Sequence, residues 1–422
     1  KIFFIYLFPL YYDFIFLSII LLFYLLKQSF FVIMNEEGDK METPKNLNTY
    51  LIHQRRYFHM HPEIGFDTYQ TASYIYNELK NLGYSPCYLL NKAAVVAKLN
   101  LGKEKTIAFR SDMDALPIQE LNTITYKSTN SYMHACGHDA HMAILLTLAK
   151  AIREHLNEIN YNITFIFQPA EEGPLPGGSK KIIETHLIDD IDAFFAYHVT
   201  NKLTSDSIGI KVGAACAAPD LFDLTITGKG CHASTPHLGK NPNLIAANII
   251  LAFEDLYQQL KEKNPFIVIT TTSIISQGAY NVIPNQLMIK GTARSLTNVE
   301  RDILKEKMTS IVNEIALFNE VDIQFNFYYA YDPVFNHEKL ANTYMQYAKT
   351  IFHHTYYLEQ PEMIGEDFSH YNQIAPICLI WLGVRKKHQP FSDLHSPNFT
   401  LDEDILIKGV LTYLEMIKGT DL

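Results

Sequence analysis

Short apolar runs alternate with amphipathic helical stretches along most of this 422-residue chain, and that alternation leaves few folds open. The runs Ala94 to Leu99, Thr106 to Phe109, Asn162 to Phe167 and Ala193 to His198 predict strands, and a helix is predicted from about Ala140 to His155. Upstream, helical spacing around Ile52, Tyr57, Phe58, Tyr74, Ile75 and Leu79 predicts two helices about the turn His61 to Gly65. Strands separated by helices can pair in parallel, because the helix supplies the crossover that parallel neighbours need. The prediction is an α/β domain with a largely parallel sheet, whose functional groups gather at strand ends.

The pattern changes between Leu221 and Tyr329. Strand (Leu221 to Thr227), helix (Pro242 to Lys261), strands (Phe266 to Ile275, Gln286 to Arg294), helix (Val299 to Phe318) and strand (Asp322 to Tyr328) follow one another. Two helices beside an antiparallel sheet form an α+β unit. The first pattern resumes at His337 and ends in a helix from Asp402 to Ile417, so this unit reads as an insertion. The predicted division is a hydrophobic extension over 1–40, one domain made of 41–219 and 331–422, and an inserted domain over 220–330.

A formal net charge of -10 without a long basic run gives no electrostatic footprint for nucleic acid or an anionic membrane. The five cysteines are sparse, scattered and odd in number, unlike a secreted disulfide framework, and point to a reducing, cytoplasmic setting. The first 33 residues differ: a string of Ile, Leu, Phe and Tyr beginning at Lys1, with an apolar run from Phe14 to Leu26. Three readings stand: residues that are not native protein, preceding an ordinary start at Met34; a signal or membrane anchor; or a buried core helix. The run is short for a bilayer span, which needs about 20 apolar residues, so a membrane partner is expected only if the segment is a real anchor.

The densest chemistry lies in Met133-His134-Ala135-Cys136-Gly137-His138-Asp139-Ala140-His141. Thiolate and imidazole suit a zinc-like cation, and Gly137 lets Cys136 and His138 turn toward one point. Such a pair supplies only part of a metal shell. Gln168-Pro169-Ala170-Glu171-Glu172-Gly173 follows a predicted strand and places two adjacent carboxylates at its end. Adjacent acids can divide the work, one holding metal and the other accepting a proton, because a metal-bound carboxylate is a poor base. His198 ends another predicted strand, and Asp112 and Asp114 follow the one that ends at Phe109. Singly, a Glu pair in a loop or a lone histidine is usually a solvated or packing group; the concentration of these residues at strand ends is what favours metal. Gly228-Lys229-Gly230 lacks the spacing of a nucleotide-binding glycine loop.

These segments, with Arg110 to Pro117, Tyr197-His198-Val199, Gly228 to Ser234, Asn281 to Pro284, Gly291 to Arg294, Gly365 to Phe368 and Leu394 to Pro397, run in one order along the chain. Over about residues 47 to 418 the sequence resembles the aminoacylase and hippurate hydrolase type of metallopeptidase-fold amidohydrolases, whose relatives include indole-acetyl-amino-acid hydrolases and N-acetyldiaminopimelate deacetylases. The resemblance implies a metallopeptidase-type catalytic domain with an inserted α+β lid and dimerisation domain, and two divalent metal ions, zinc or manganese, with cobalt or nickel also compatible. It implies that Cys136 bridges the two ions, that His138 and His198 complete one shell, and that Glu172 and His395 complete the other.

By the same resemblance Glu171 is the general base, Asp114 orients the site from behind, and His232 stabilises the developing oxyanion, often from a partner subunit in a homodimer. Arg294 would hold a substrate carboxylate, with Asn281 adding a hydrogen bond. The implied reaction is hydrolysis of N-acyl amino acids, acetyl or aromatic, to a carboxylic acid and a free amino acid. Deacetylation of N-acetyldiaminopimelate and dipeptidase or carboxypeptidase activity are the alternatives. Carboxypeptidase relatives carry a histidine where this chain has Asp112, which leaves the role of Asp112 open. Cys231, where a small residue is usual, and the stiff loop Pro174 to Gly178 are departures that bear on the substrate rather than on the ligands.

Overall fold

The computed structural model describes residues 44–388 and 391–422, so the apolar segment over 1–33 lies outside the described residues. The chain divides into Lys1–Asn46 and Leu47–Leu422, and the fold described below belongs to the second of these. Among the described residues no helix is long and apolar enough to cross a membrane.

A ten-stranded sheet forms the larger layer. Its order is Cys87–Leu89, Ala94–Leu99, Asn162–Gln168, Thr106–Asp112, Ala193–Thr204, Ile377–Arg385, Val334–Asn336 and Gly213–Cys216, with Ser207–Ile210 and His354–Tyr357 attached beside Ile377–Arg385. The four central strands from Asn162–Gln168 to Ile377–Arg385 pair in parallel, Val334–Asn336 continues the parallel run, and Ala94–Leu99 and Ser207–Ile210 pair with it antiparallel. Asn162–Gln168 and Thr106–Asp112 are buried along all but their first residue, because both faces are covered. This explains why they read as unbroken apolar runs rather than alternating ones. The helix His138–Glu154 is buried along nearly its whole length, and its alanines 140, 143, 149 and 151 allow close approach in the main core.

The strand Thr106–Asp112 runs three residues beyond the apolar stretch visible in the sequence. Arg110, Ser111 and Asp112 continue the ladder against Ile166, Phe167 and Gln168. The short strands Cys87–Leu89, Ser207–Ile210, Gly213–Cys216, Val334–Asn336 and His354–Tyr357 are not evident from the sequence. Each is too brief to establish a period of its own. The C-terminal helix begins at Leu406 after a tight turn over Glu403–Ile405, later than the sequence predicts.

A separate four-stranded antiparallel sheet has the order Val268–Ser276, Gln286–Ser295, Ala218–Thr227, Asp322–Tyr328. Its strands alternate, with Phe222, Leu224, Ile226, Leu287, Ile289 and Ala293 turned into a core of their own. The helices Pro242–Lys261 and Asn298–Asn319 cover that face. The Asn241 side chain accepts from the Asn243 N–H to cap the first helix, and Thr297 with Glu300 forms a capping box on the second. The opposite face carries Pro219, Leu221, Thr292 and Arg294, so one alternation builds both the core and a wall for the cavity described below.

Phe222 is fully buried in this smaller core, with Phe253 edge-on 5.6 Å away. Phe222→Ala should lower the stability of this layer by about 3–5 kcal/mol, read by chemical denaturation, while leaving the metal content of the folded protein unchanged. A loss below about 1 kcal/mol would show that the ring does not anchor the layer.

Candidate active site

The loop after Asn162–Gln168, the middle of Ala193–Thr204 and the start of the helix His138–Glu154 meet at a cavity of about 620 Å³. Cys136, Glu171, Glu172, His198 and His395 line it, together with Arg294 from the smaller sheet. His138 and Asp114 are buried behind these groups.

Gly137 makes the helix start possible. It sits at φ 83° as the helix N-cap, and an added Cβ would lie 2.2 Å from Val199 Cγ2. The turn sends Cys136 and His138 into the same space. Cys136 Sγ is 3.5 Å from His198 Nε2 and 3.3 Å from His395 Nε2. His395 Nε2 is in turn 3.1 Å from Glu172 Oε1. Two ligand-atom clusters therefore share Cys136: one adds His138 and His198, the other Glu172 and His395, with the atoms of each cluster within 4.8 Å of one another.

The imidazoles are set in one tautomer by backbone acceptors. His138 Nδ1 donates to the Asp114 carbonyl at 2.7 Å, and His198 Nδ1 donates to the Val199 carbonyl at 2.8 Å. Each Nε2 then carries its lone pair into the cavity, the arrangement expected of a metal-binding histidine. His138 Nε2 is buried and has no hydrogen-bond partner among the described residues. Burial holds both rings neutral, with His198 pulled down to about 3.

Charge in the site is strongly one-sided. Burial, with Glu172, Glu171 and Asp112 nearby, raises the Cys136 thiol well above its usual range. Burial pushes Glu171 well up as well, reinforced by Glu366 and Glu172. For Glu172 burial acts upward, but the His395 hydrogen bond outweighs it and brings the carboxyl down. A thiolate and several carboxylates can share such a space only with added positive charge, so the donor set suits divalent cations.

Of three further clusters with ligand spacing, one joins Glu171 to His138 and Glu172, and the other two are already engaged. His141 Nδ1 bonds Asp112 Oδ1 at 2.6 Å while its Nε2 accepts from the Val199 N–H at 2.9 Å, which leaves no nitrogen free. The Glu171, Glu366 and Asp367 cluster contains the guanidinium of Arg110, which reaches Asp367 at 2.7 Å, Glu366 at 3.1 Å and Asp112 at 2.8 Å. Asp112 thus acts as an acceptor for Arg110 and His141 in this structure, and these two partners hold its carboxyl well down against burial.

Asp114 accepts from the backbone N–H groups of Glu171 and Glu172, one on each oxygen, at 2.9 and 3.0 Å. That bidentate grip aims the two acids in different directions from one turn. Tyr331 adds a hydrogen bond from its hydroxyl to the Glu171 carbonyl at 2.8 Å. No sequence signal marks Tyr331.

The structure does not bring His232 and Asn281 into this cavity within one chain. Both are exposed on a two-stranded ribbon in which Val282 pairs with His232. Ser234 donates to His232 Nδ1 from both its N–H and its hydroxyl, leaving Nε2 to face outward. His134 is buried with both ring nitrogens unpartnered among the described residues, and it lines neither cluster.

A family model described as peptidase family M20/M25/M40 matches residues 108–419. The chain is 32% identical over 408 residues to IAA-amino acid hydrolase ILR1-like 5 of Arabidopsis thaliana, covering 93% of each protein. It is 34% identical over 296 residues to an N-acyl-L-amino acid amidohydrolase of Geobacillus stearothermophilus, covering 69% of this chain and 80% of that one. A solved dinuclear metal-binding peptidase of the M20 family from Bacillus subtilis superposes with a TM-score of 0.77 at 28% identity, covering 89% of this chain and 98% of the other.

Gly137→Ala should cost about 1–3 kcal/mol for the left-handed backbone alone, and the Val199 clash should displace Cys136 or His138. Denaturant unfolding paired with elemental analysis reads both effects. Full metal content at unchanged stability would show that the turn tolerates a side chain.

Proposed function

The chain belongs to peptidase family M20/M25/M40, and from that premise we propose that it is an amidohydrolase that cleaves N-acyl amino acids to a carboxylic acid and a free amino acid. The observation that carries this reading is the pair of donor clusters sharing Cys136, with Glu171 beside them and free of either one. An N-acyl-L-amino acid amidohydrolase and an N-acetyl-L-cysteine deacetylase among the relatives support the substrate class. Thermostable carboxypeptidases among them keep peptide cleavage as the second reading.

In the proposed site Cys136, His138 and His198 hold one divalent cation, and Cys136, Glu172 and His395 hold the other. When bound, the two cations would supply the positive charge that acidifies a water molecule and polarises an amide carbonyl. Glu171 takes the proton of the attacking water as the new C–O bond forms, and returns it to the amine nitrogen as the C–N bond breaks. Asp114 keeps Glu171 and Glu172 apart in orientation, and Asp112 with Arg110 and His141 braces the wall behind them.

Arg294 is partly buried on the cavity wall, and no carboxylate among the described residues forms an ion pair with it. It is the proposed anchor for the substrate carboxylate. His232 and Asn281 would reach a site only from the other subunit of a homodimer, where His232 donates to the developing oxyanion and Asn281 adds a hydrogen bond. Residues 220–330 then serve as lid and dimerisation domain, and the exposed apolar side chains of Ile274, Ile275, Tyr280 and Val282 support that role. A cytoplasmic location fits the free cysteines found among the described residues. Zinc and manganese are the proposed cations, since thiolate favours the former and carboxylate tolerates the latter.

Glu171→Gln should lower turnover of an N-acyl amino acid by about 10²- to 10⁴-fold with metal content intact; unchanged turnover would refute the assigned base. His232→Ala should lose about 10²- to 10³-fold. Mixing it with Glu171→Gln should restore activity, because mixed dimers contain one complete site. Failure of the mixture to recover, with subunit exchange verified, would rule out action in trans.

A further inference from the structure

Resting on the amidohydrolase reading, we infer that the cavity selects substrates whose amino-acid half carries an uncharged apolar side chain, and that Leu221 and Ile364 make that selection. Arg294 fixes where the amino-acid half must sit. In the antiparallel ladder Arg294 lies directly opposite Pro219, and Thr292 lies opposite Leu221. Directly opposed residues share a sheet face, so Leu221 sits one face-repeat along from Pro219 on the side that Arg294 occupies.

Ile364 reaches the same place from the other layer. Its neighbour Gly365 packs so tightly on Pro219 that an added Cβ would lie 2.4 Å from Pro219 Cγ. Ile364 is thereby tied to the Arg294 end of the cavity, and both it and Leu221 line the cavity wall. Leu221 is 42% exposed and Ile364 36%, so each still has apolar surface to bury against a ligand. A substrate anchored at Arg294 by its carboxylate places its side chain, one carbon away, among these groups.

Glu362, two residues from Ile364, pairs with Lys202, and both line the cavity. A lysine-like or diamino-acid side chain beside Ile364 would find Glu362 already paired instead of a free anion, and Asp393 is exposed elsewhere on the lining. An aspartate-like side chain would find Lys202 paired in the same way. An apolar side chain needs neither partner and gains about 25 cal/mol for each Å² it buries.

The test compares kcat/KM for N-acetyl and N-benzoyl derivatives of leucine, phenylalanine, alanine, aspartate and lysine. Leucine and phenylalanine derivatives should exceed the aspartate and lysine ones by about tenfold or more. Leu221→Ala and Ile364→Ala should each reduce that advantage about tenfold through KM, with the alanine derivatives nearly unchanged. Leu221→Met should retain the preference, and Leu221→Lys should shift it toward the aspartate derivatives. Equal turnover across side chains, or a uniform loss in the variants, would overturn this assignment alone. No hydrolysis of any acyl amino acid by the metal-loaded protein would overturn the amidohydrolase reading and this assignment with it.

Discussion

A buried thiol placed among carboxylates is the constraint on which the rest of the site depends. Cys136 lies within a few ångströms of His198 and His395, and Glu172, Glu171 and Asp112 all raise its proton affinity. Solvent cannot relieve this crowding, because Cys136, Glu171 and Asp112 are buried. Left alone the thiol keeps its proton; holding it as a thiolate takes positive charge that the neutral Nε2 atoms of His138 and His198 do not supply. Arg110 offsets only the far side, where it engages Asp112, Glu366 and Asp367. The near side is left to the proposed cations, and the fold spends its most rigid features there: parallel strand ends, a glycine turn, and the bidentate grip of Asp114 on two consecutive N–H groups.

Much of this was legible in the sequence, for reasons that separate local pattern from long-range partnership. The central strands carry unbroken apolar runs because both their faces are covered, and Pro242–Lys261 and Asn298–Asn319 carry helical periods with caps at Asn241 and Thr297. Glu171 and Glu172 follow a strand end that the apolar pattern already marks, Cys136 and His138 stand at the start of a helix, His198 lies within Ala193–Thr204, and the structure gathers them with His395. The extension of Thr106–Asp112 through Arg110 was hidden because a charged residue in a buried strand breaks the apolar pattern. Only its carboxylate partners, one of them 257 positions away, explain its presence.

Other features could not be read locally. The hydrogen bond from Tyr331 to Glu171 joins residues 160 positions apart and leaves no mark at either position. The five short strands gain their identity from neighbours on the large sheet rather than from their own composition. His232 and Asn281 were expected at the substrate, and one chain holds them on an exposed ribbon instead. Sequence resemblance can suggest a role for a residue, but the subunit that supplies it is a property of assembly. The small sheet shows the reverse case: its simple alternation separates Phe222 and Leu224 in the core from Leu221 and Arg294 at the cavity.

The central claim is that the Cys136 sulfur is a ligand common to two cations. Cobalt(II) substitution followed by near-ultraviolet absorption tests it most directly, because a thiolate bound to cobalt gives a charge-transfer band that oxygen and nitrogen ligands do not. That band is expected in the loaded protein, growing until two cobalt ions are bound per chain and absent in Cys136→Ser. A protein that binds two cobalt ions with no such band, or a Cys136→Ser variant that keeps both the band and the stoichiometry, would contradict it.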